Sequence, residues 1–384
     1  MTTELPVRVG VVGSGTLGST VVRAALTAGS PVTVLVRGGD VRCRQHAERL
    51  AAGIRREAER GRVPRGQTEQ LLGRLRVTDR IGDLAASEVV VESVPESAPL
   101  KRQVIAAIED VVPATTVIAS TTSSIPAGVL AEGARHPERV VVAHFVWPAH
   151  RIPLVEVALH AGTDGAAAAL LGRFLAQLRK EPLRVADRPG FLITRALFAY
   201  WDAAVELLRD GCPPAAVDDA LTGFGWPLGP FAVMEGTTLS SVGRIYADLE
   251  PHLDAPFPSL AALSGAVTAG ADRVYGPGRV LDHYLGALLC HGDDAARSDA
   301  AHIVERTVGA LADEVDRAVG EGVAASWQEA GAAIEVAYGF PRHRGGLARW
   351  WRDNGVRGTG TFATDRLTVP IAGSVVEGIE RTPQ

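Results

Sequence analysis

A short apolar run, Val7 to Val12, breaks into Gly13-Ser14-Gly15-Thr16-Leu17-Gly18 and continues as a helical pattern. Glycines at this spacing, between a strand and a helix, let backbone N–H groups and the positive end of the helix close on a pair of phosphates. Gly13 permits the tight turn, Gly15 leaves room for the pyrophosphate, and Gly18 lets helix and strand pack closely. The reading is a dinucleotide site whose expected contacts are Gly13, Gly15, Thr16, Leu17 and Gly18.

Residues 7 to 160 alternate strand-like and helix-like segments, as a parallel sheet covered on both faces requires. Strands are expected near 7–12, 32–36, 89–94, 117–120, 140–145 and 153–158, with an edge strand at Leu183 to Val185. Helices are expected over Thr16 to Ala28, Val41 to Arg60 and 163–179. The second of these is highly charged, with Leu50 and Ile54 on one face, and reads as a solvated helix beside the sheet or as a substrate contact. Asp187-Arg188-Pro189-Gly190 punctuates the chain, and from Phe191 onward the pattern is helical. An internal repeat divides that helical part. RALFAYWDAAVELLRDG at 195–211 matches RTVGALADEVDRAVGEG at 306–322, and Gly225-Trp226-Pro227 answers Gly339-Phe340-Pro341. The expected fold class is an α/β Rossmann domain over 1–187 followed by two related all-helical modules, at 188–295 and at 296–384 with a tail.

Composition excludes several classes. Lys+Arg 39 against Asp+Glu 44, interspersed, leaves no basic stripe for nucleic acid. No apolar run approaches the ~20 residues of a membrane span. Cys43, Cys212 and Cys290 are scattered, which points to a reducing, cytoplasmic setting and away from a disulfide scaffold, and no Cys/His cluster has metal-ligand spacing.

The second strand is expected to end beside the adenosine ribose, where an acidic residue commonly accepts the ribose hydroxyls. This chain has Arg37 there. A guanidinium can grip a 2′-phosphate or stack on adenine, and it also fits a plain surface position, so the expected cofactor is NAD or NADP. Glu92 and Glu96, at the carboxyl edge of the strand at 89–94, either line the nicotinamide ribose or order the loop. His144 closes the strand Val140-Val141-Val142-Ala143, and Glu156 lies in Pro153-Leu154-Val155-Glu156-Val157. Oxidising an alcohol with a nicotinamide needs a base for the hydroxyl proton. Histidine serves, and a carboxylate on its other ring nitrogen fixes the tautomer and stabilises the imidazolium. Among Ser120, Thr121, Thr122, Ser123 and Ser124, composition alone does not choose the hydroxyl that meets the substrate oxygen.

GSGTLG at 13–18, VVESVPE at 90–96, TTSSI at 121–125, AHFVWP at 143–148, PLVEV at 153–157 and DRPGFLITR at 187–195 together resemble an L-3-hydroxyacyl-CoA dehydrogenase. The resemblance continues through DDALTGFGWPLGPF at 218–231, and YGFPRHRGG at 338–346 is similar to the final module of the bacterial multifunctional fatty-oxidation proteins, without their hydratase portion. It implies catalysis in the cleft between a Rossmann domain and helical domains. It also implies His144 as the catalytic histidine, Glu156 as its orienting glutamate, Ser123 as the substrate-side serine and Lys101 as a family lysine at the start of a helix. Lys101 is equally explained as solvated helix surface, and Arg342-His343-Arg344 as a structural loop rather than a phosphate patch.

The chain departs from the family at four places. Thr194, Trp147 and Thr121 stand where the family has asparagines, and Arg37 replaces the ribose-binding aspartate. Thr194 supplies one hydroxyl in place of an amide's paired donor and acceptor. The base and its orienter are present while the surroundings that recognise substrate have changed. The expectation is a dehydrogenase of a 3-hydroxyacyl thioester carried on CoA or on an acyl carrier protein, with His144, Glu156, Ser123 and Thr194 at the chemical site. Trp147 is expected to narrow the pocket toward a short or polar acyl group, or to fill space left by another loss. The competing readings are a dehydrogenase of a free hydroxy acid or sugar acid, and a noncatalytic dinucleotide-binding protein. The tandem modules suggest a monomer, with a homodimer through another face as the alternative.

Overall fold

The computed structural model describes residues 5–63, 65–253, 256–289 and 299–354. The expected module boundary near 292–299 falls almost wholly outside the described residues, and the expected tail from 358 lies entirely outside them. The chain divides into two compact units, with the first running to Asp187 and the second beginning at Arg188.

The first unit is built on eight strands: β1 Val9–Val12, β2 Val32–Leu35, β3 Leu75–Thr78, β4 Val89–Glu92, β5 Val117–Ser120, β6 Val140–Phe145, β7 Leu154–Ala158 and β8 Glu181–Val185. Their helices are α1 Thr16–Thr27, α2 Gly39–Glu59, α3 Thr68–Leu72, α4 Ala98–Glu109, α5 Ala127–Ala131 and α6 Gly165–Gln177. The sheet order is β3-β2-β1-β4-β5-β6-β7-β8. Valine-rich β1, β4, β5 and β6 are buried along their whole length, which is why they read as continuous apolar runs rather than alternating ones. On one face Val21, Val22 and Leu26 of α1 and Leu171, Phe174 and Leu175 of α6 join them in one core.

Two expectations about this sheet need correction. β3 was not anticipated: it is a short edge strand whose Leu75-Arg76-Val77-Thr78 is largely unburied, so its apolar signal is weak. Nor is the sheet wholly parallel, because β7 runs antiparallel to β6. The connection from Val146 to Pro153 contains no crossover helix, and a parallel return needs roughly a dozen residues or more. The chain therefore turns straight back, and that turn sets His144 opposite Glu156.

The second unit is helical: α7 Ile193–Arg209, α8 Pro214–Phe224, α9 Pro230–Thr237, α10 Leu239–Leu249, α11 Pro258–Thr268, α12 His283–Leu289, α13 Ala300–Gly320, α14 Trp327–Tyr338 and α15 Leu347–Asn354. The two repeated segments fall in α7 and α13, which pack against each other. Arg195 of α7 reaches Glu314 of α13 at 2.6 Å and Glu321 just beyond it at 2.6 Å. The second repeated feature is also paired in space, with the Trp226 and Phe340 rings meeting edge-on at 5.6 Å. Each lies just past a glycine at a helix end with positive φ, Gly225 and Gly339. Arg344 lies over the Phe224 ring at 4.8 Å and donates to the Phe224 carbonyl, which makes 342–344 a packed structural loop. No helix among the described residues is long and apolar enough to cross a membrane.

Candidate active site

The phosphate-loop glycines do different work. Gly13 has φ 96°, and a Cβ there would stand 2.5 Å from the Ser93 carbonyl oxygen. A Cβ on Gly18 would overlap the Gly13 carbonyl, so both positions are closed to larger residues by backbone. At Gly15 a Cβ would meet nothing within 4 Å, so the space in front of it is open. Gly15 is also the residue before α1, whose first turn, with Thr16 and Leu17, carries no acidic group and no side-chain cap. Its N–H groups and the helix dipole are thus available to an anion. These residues fit the diphosphate of a dinucleotide.

Beyond the loop lies a cavity of about 390 Å³, lined by Ser14, Thr16, Arg23, His46, Arg49 and Arg56 among others. Ser14 hydrogen-bonds His46 Nδ1, and burial together with Arg49 and Arg42 pushes the His46 pKa down. In the sequence the charged α2 reads as a solvated helix or as a substrate contact, and its pattern alone does not show this cavity. The arginines belong to two helices, and only their packing faces Arg23 toward Arg49 and Arg56.

The carboxyl edge of β4 carries a dense ionic network. Glu92 is fully buried and accepts from Val94 N at 2.6 Å, Ser120 Oγ at 2.6 Å and Lys101 Nζ at 3.1 Å. Lys101 is 1% exposed and also meets Glu96 at 3.3 Å and the Val94 carbonyl at 3.2 Å. The explanation of Lys101 as solvated helix surface is therefore wrong: α4 turns this position inward, where two carboxylates compensate the buried ammonium. For Glu92 the loop-ordering role fits, since each of its oxygens is engaged within the protein.

Glu96 organises the next loop. It accepts from Thr122 Oγ1 at 2.5 Å, Ser123 N at 3.1 Å and Ser124 Oγ at 2.9 Å. Burial works to raise its pKa, but Lys101 and the hydroxyls of Thr122 and Ser124 outweigh it and hold the carboxyl below its ordinary value. The Thr122 hydroxyl in turn accepts from Ser124 N and Ile125 N. Ser120, Thr122 and Ser124 are thus committed to the two carboxylates, while half-buried Ser123 gives them only its backbone N–H.

His144 and Glu156 are directly paired residues of β6 and β7. His144 Nδ1 and Glu156 Oε2 lie 2.7 Å apart, with Glu156 fully buried and His144 8% exposed. A carboxylate only accepts, so Nδ1 carries the proton and Nε2 is the basic nitrogen. The low-dielectric surroundings strengthen this charge-assisted bond. Trp147, three residues on in sequence, is 61% exposed. Arg37 is exposed just past β2. Thr121 is buried beside the Glu96-ordered loop, and Thr194 is buried in the first turn of α7 in the second unit. No cluster able to hold a metal ion occurs among the described residues.

Residues 8–188 match the family described as 3-hydroxyacyl-CoA dehydrogenase, NAD binding domain, and residues 190–270 match 3-hydroxyacyl-CoA dehydrogenase, C-terminal domain. The solved structure of FadB2 from M. tuberculosis is 30% identical and superposes with a TM-score of 0.65, covering 70% of this chain and 96% of that one. A 3-hydroxybutyryl-CoA dehydrogenase from Escherichia coli K12, 21% identical, shares the fold with a TM-score of 0.74 over 91% of this chain and 92% of that one. Among curated proteins, the fatty acid oxidation complex subunit alpha of Psychrobacter arcticus is 29% identical over 364 residues, 88% of this chain and 50% of that protein. The chain spans about half the length of the curated relatives it matches.

Proposed function

Because this chain belongs to the 3-hydroxyacyl-CoA dehydrogenase family, we propose that it interconverts a 3-hydroxyacyl thioester and its 3-oxoacyl thioester, with His144 as general base and acid. The observation that carries the reading is the 2.7 Å pair of His144 and Glu156 on adjacent strands of a dinucleotide-binding sheet. A bound nicotinamide supplies the hydride acceptor. In the oxidation direction His144 Nε2 takes the hydroxyl proton, and Glu156 stabilises the imidazolium through Nδ1–H. The charge on Glu156 also keeps the ring from turning over, so Nε2 stays on the substrate side.

Ser123 donates a hydrogen bond to the substrate oxygen in this reading, its backbone held by Glu96 and its hydroxyl not drawn to either carboxylate. Thr194 contributes a single hydroxyl where relatives of the resemblance carry an amide. Gly13, Gly15, Thr16, Leu17 and Gly18 hold the diphosphate of NAD or NADP. Glu92, Glu96 and Lys101 shape the loops beside it rather than bind it through free charges. The basic cavity with Arg23, Arg49 and Arg56 favours a phosphate-bearing carrier, either CoA or the phosphopantetheine of an acyl carrier protein. The pairing of α7 with α13 within one unit supports a monomer, since the repeat covers in one chain a helical face that a single copy would leave exposed.

The test is oxidation of NADH and of NADPH, followed by absorbance, with acetoacetyl-CoA and with its pantetheine analogue. Turnover of acetoacetyl-CoA with one of the two cofactors is expected. The pantetheine analogue is expected to react with a KM raised by at least about tenfold, because it lacks the carrier phosphates that charge-assisted bonds would hold. Tight cofactor binding with no turnover of either thioester would overturn the reading.

A further inference from the structure

The end of β2 lacks the carboxylate that commonly accepts from an adenosine ribose. The Val36 N–H bonds the Thr78 carbonyl at 2.9 Å, and the chain then turns through Gly38 (φ 120°) and Gly39 (φ 72°) into α2. Arg37 stands exposed at the start of this turn, at the place where a ribose-binding sheet usually offers a carboxylate. A guanidinium has only donors, so Arg37 cannot accept the hydrogen bonds of a free 2′,3′-diol.

A second arginine shares the turn. Arg42, in the first turns of α2, lies over Gly38 so closely that a Cβ there would overlap its Cδ and stand 3.1 Å from its Nε. The absence of a side chain at Gly38 is what lets Arg42 fold back against the turn that begins at Arg37. Neither Arg37 nor Arg42 has an ion-pair partner among the described residues. Arg76 and Arg80 at the neighbouring end of β3 differ, since Asp83 meets them at 2.8 and 3.5 Å. The cavity of about 370 Å³ near this turn is lined by Asp40, Cys43, Arg76, Thr78, Asp79 and Arg80 and not by Arg37 or Arg42, so a phosphate on the two arginines sits at the exposed face of the turn rather than in that cavity.

We propose that Arg37 and Arg42 form a recognition site for a ribose 2′-phosphate, so that this chain takes NADP(H) in preference to NAD(H). The inference rests on the dinucleotide reading of the glycine loop and adds the identity of the cofactor. It is independent of which thioester the chain turns over.

Dissociation constants of NADPH and NADH, measured by fluorescence titration of the full chain without substrate, test it. NADPH is expected to bind at least about tenfold more tightly, the effect of one charge-assisted phosphate contact, with the ratio narrowing as salt rises. Arg37→Ala is expected to weaken NADPH about tenfold and bring the ratio toward one, and Arg42→Ala to act in the same direction. Equal affinities in the unaltered chain, or an Arg37→Ala variant that loses both cofactors equally, would overturn the 2′-phosphate site while leaving the dinucleotide site in place. Binding of neither cofactor would remove the dinucleotide site and this proposal with it.

Discussion

Replacement of His144 by alanine is expected to lower kcat by about 10³-fold, within the range of about 10² to 10⁴ ascribed to a positioned acid–base group. The loss is chemical rather than architectural. His144 is the penultimate residue of β6, toward the carboxyl edge of the sheet, and its removal leaves the valine core of that strand untouched. Cofactor affinity and melting temperature should therefore change little while turnover collapses. Glu156→Gln makes the complementary case. Its amide is able to hold Nδ1 but brings no charge to the imidazolium, and it lets the ring settle in either tautomer. A decrease of about 10²-fold in kcat, with KM nearly constant, is expected from loss of charge and tautomer control together. Steady-state kinetics in both directions check both variants. Retention of more than about a tenth of the activity in His144→Ala would show that another group moves the proton.

Lys101→Met is expected to destabilise the first unit by about 3–5 kcal/mol, because it strands Glu92 and Glu96 beside each other in a dry site without their shared cation. For a unit of this size that corresponds to a fall of roughly 10 °C in Tm. The sign of the pH dependence follows from Glu96. Its folded pKa is held below the ordinary 4.5, so it contributes stability above that value and loses it as pH falls through the folded pKa. Without Lys101 the buried carboxylates repel and their ionised forms lose support. The deficit of the variant should then be largest near neutral pH and shrink as the pH falls toward 4.5, because Glu96 takes up a proton more readily once Lys101 no longer holds its pKa down. Urea unfolding at pH 7 and pH 5 measures the difference. Adding Glu92→Gln to Lys101→Met should recover part of the loss by removing one of the stranded charges. A Lys101→Met protein as stable as its parent at pH 7 would mean that the network carries no net stabilisation.

These two sites differ in how far the chain alone revealed them. The strand–glycine–helix signature at Val7 to Gly18 is local: Gly13 takes a positive φ and Gly18 packs on the Gly13 carbonyl, so the turn and the helix start are legible from spacing. The apolar runs of β4, β5 and β6 are legible for a similar reason, since burial on both faces leaves an uninterrupted apolar segment. β3 escaped because an edge strand with little burial needs no such run. Lys101 was ambiguous because helical periodicity places it on a face without saying what covers that face. Only the carboxyl edge of the sheet, with Glu92 at the end of β4 and Glu96 in the loop after it, turns a lysine of ordinary helix composition into a buried ion.

His144 and Glu156 stand between these cases. Their residue types, and their positions on two strand-like segments, are properties of the chain. Their contact is not, because in an all-parallel sheet the same two residues would be offset by a crossover connection. The short return from Val146 to Pro153 makes the pair antiparallel, and the register then brings the two side chains to 2.7 Å. The dinucleotide turn, the buried apolar strands and the chemical candidates are legible in the chain alone, because these depend on glycine conformations and burial patterns within short segments. The tertiary structure alone decided which candidates meet, which charges are buried and which hydroxyl keeps its side chain out of the ionic network, because those facts depend on strand direction, register and the packing of segments far apart in the chain.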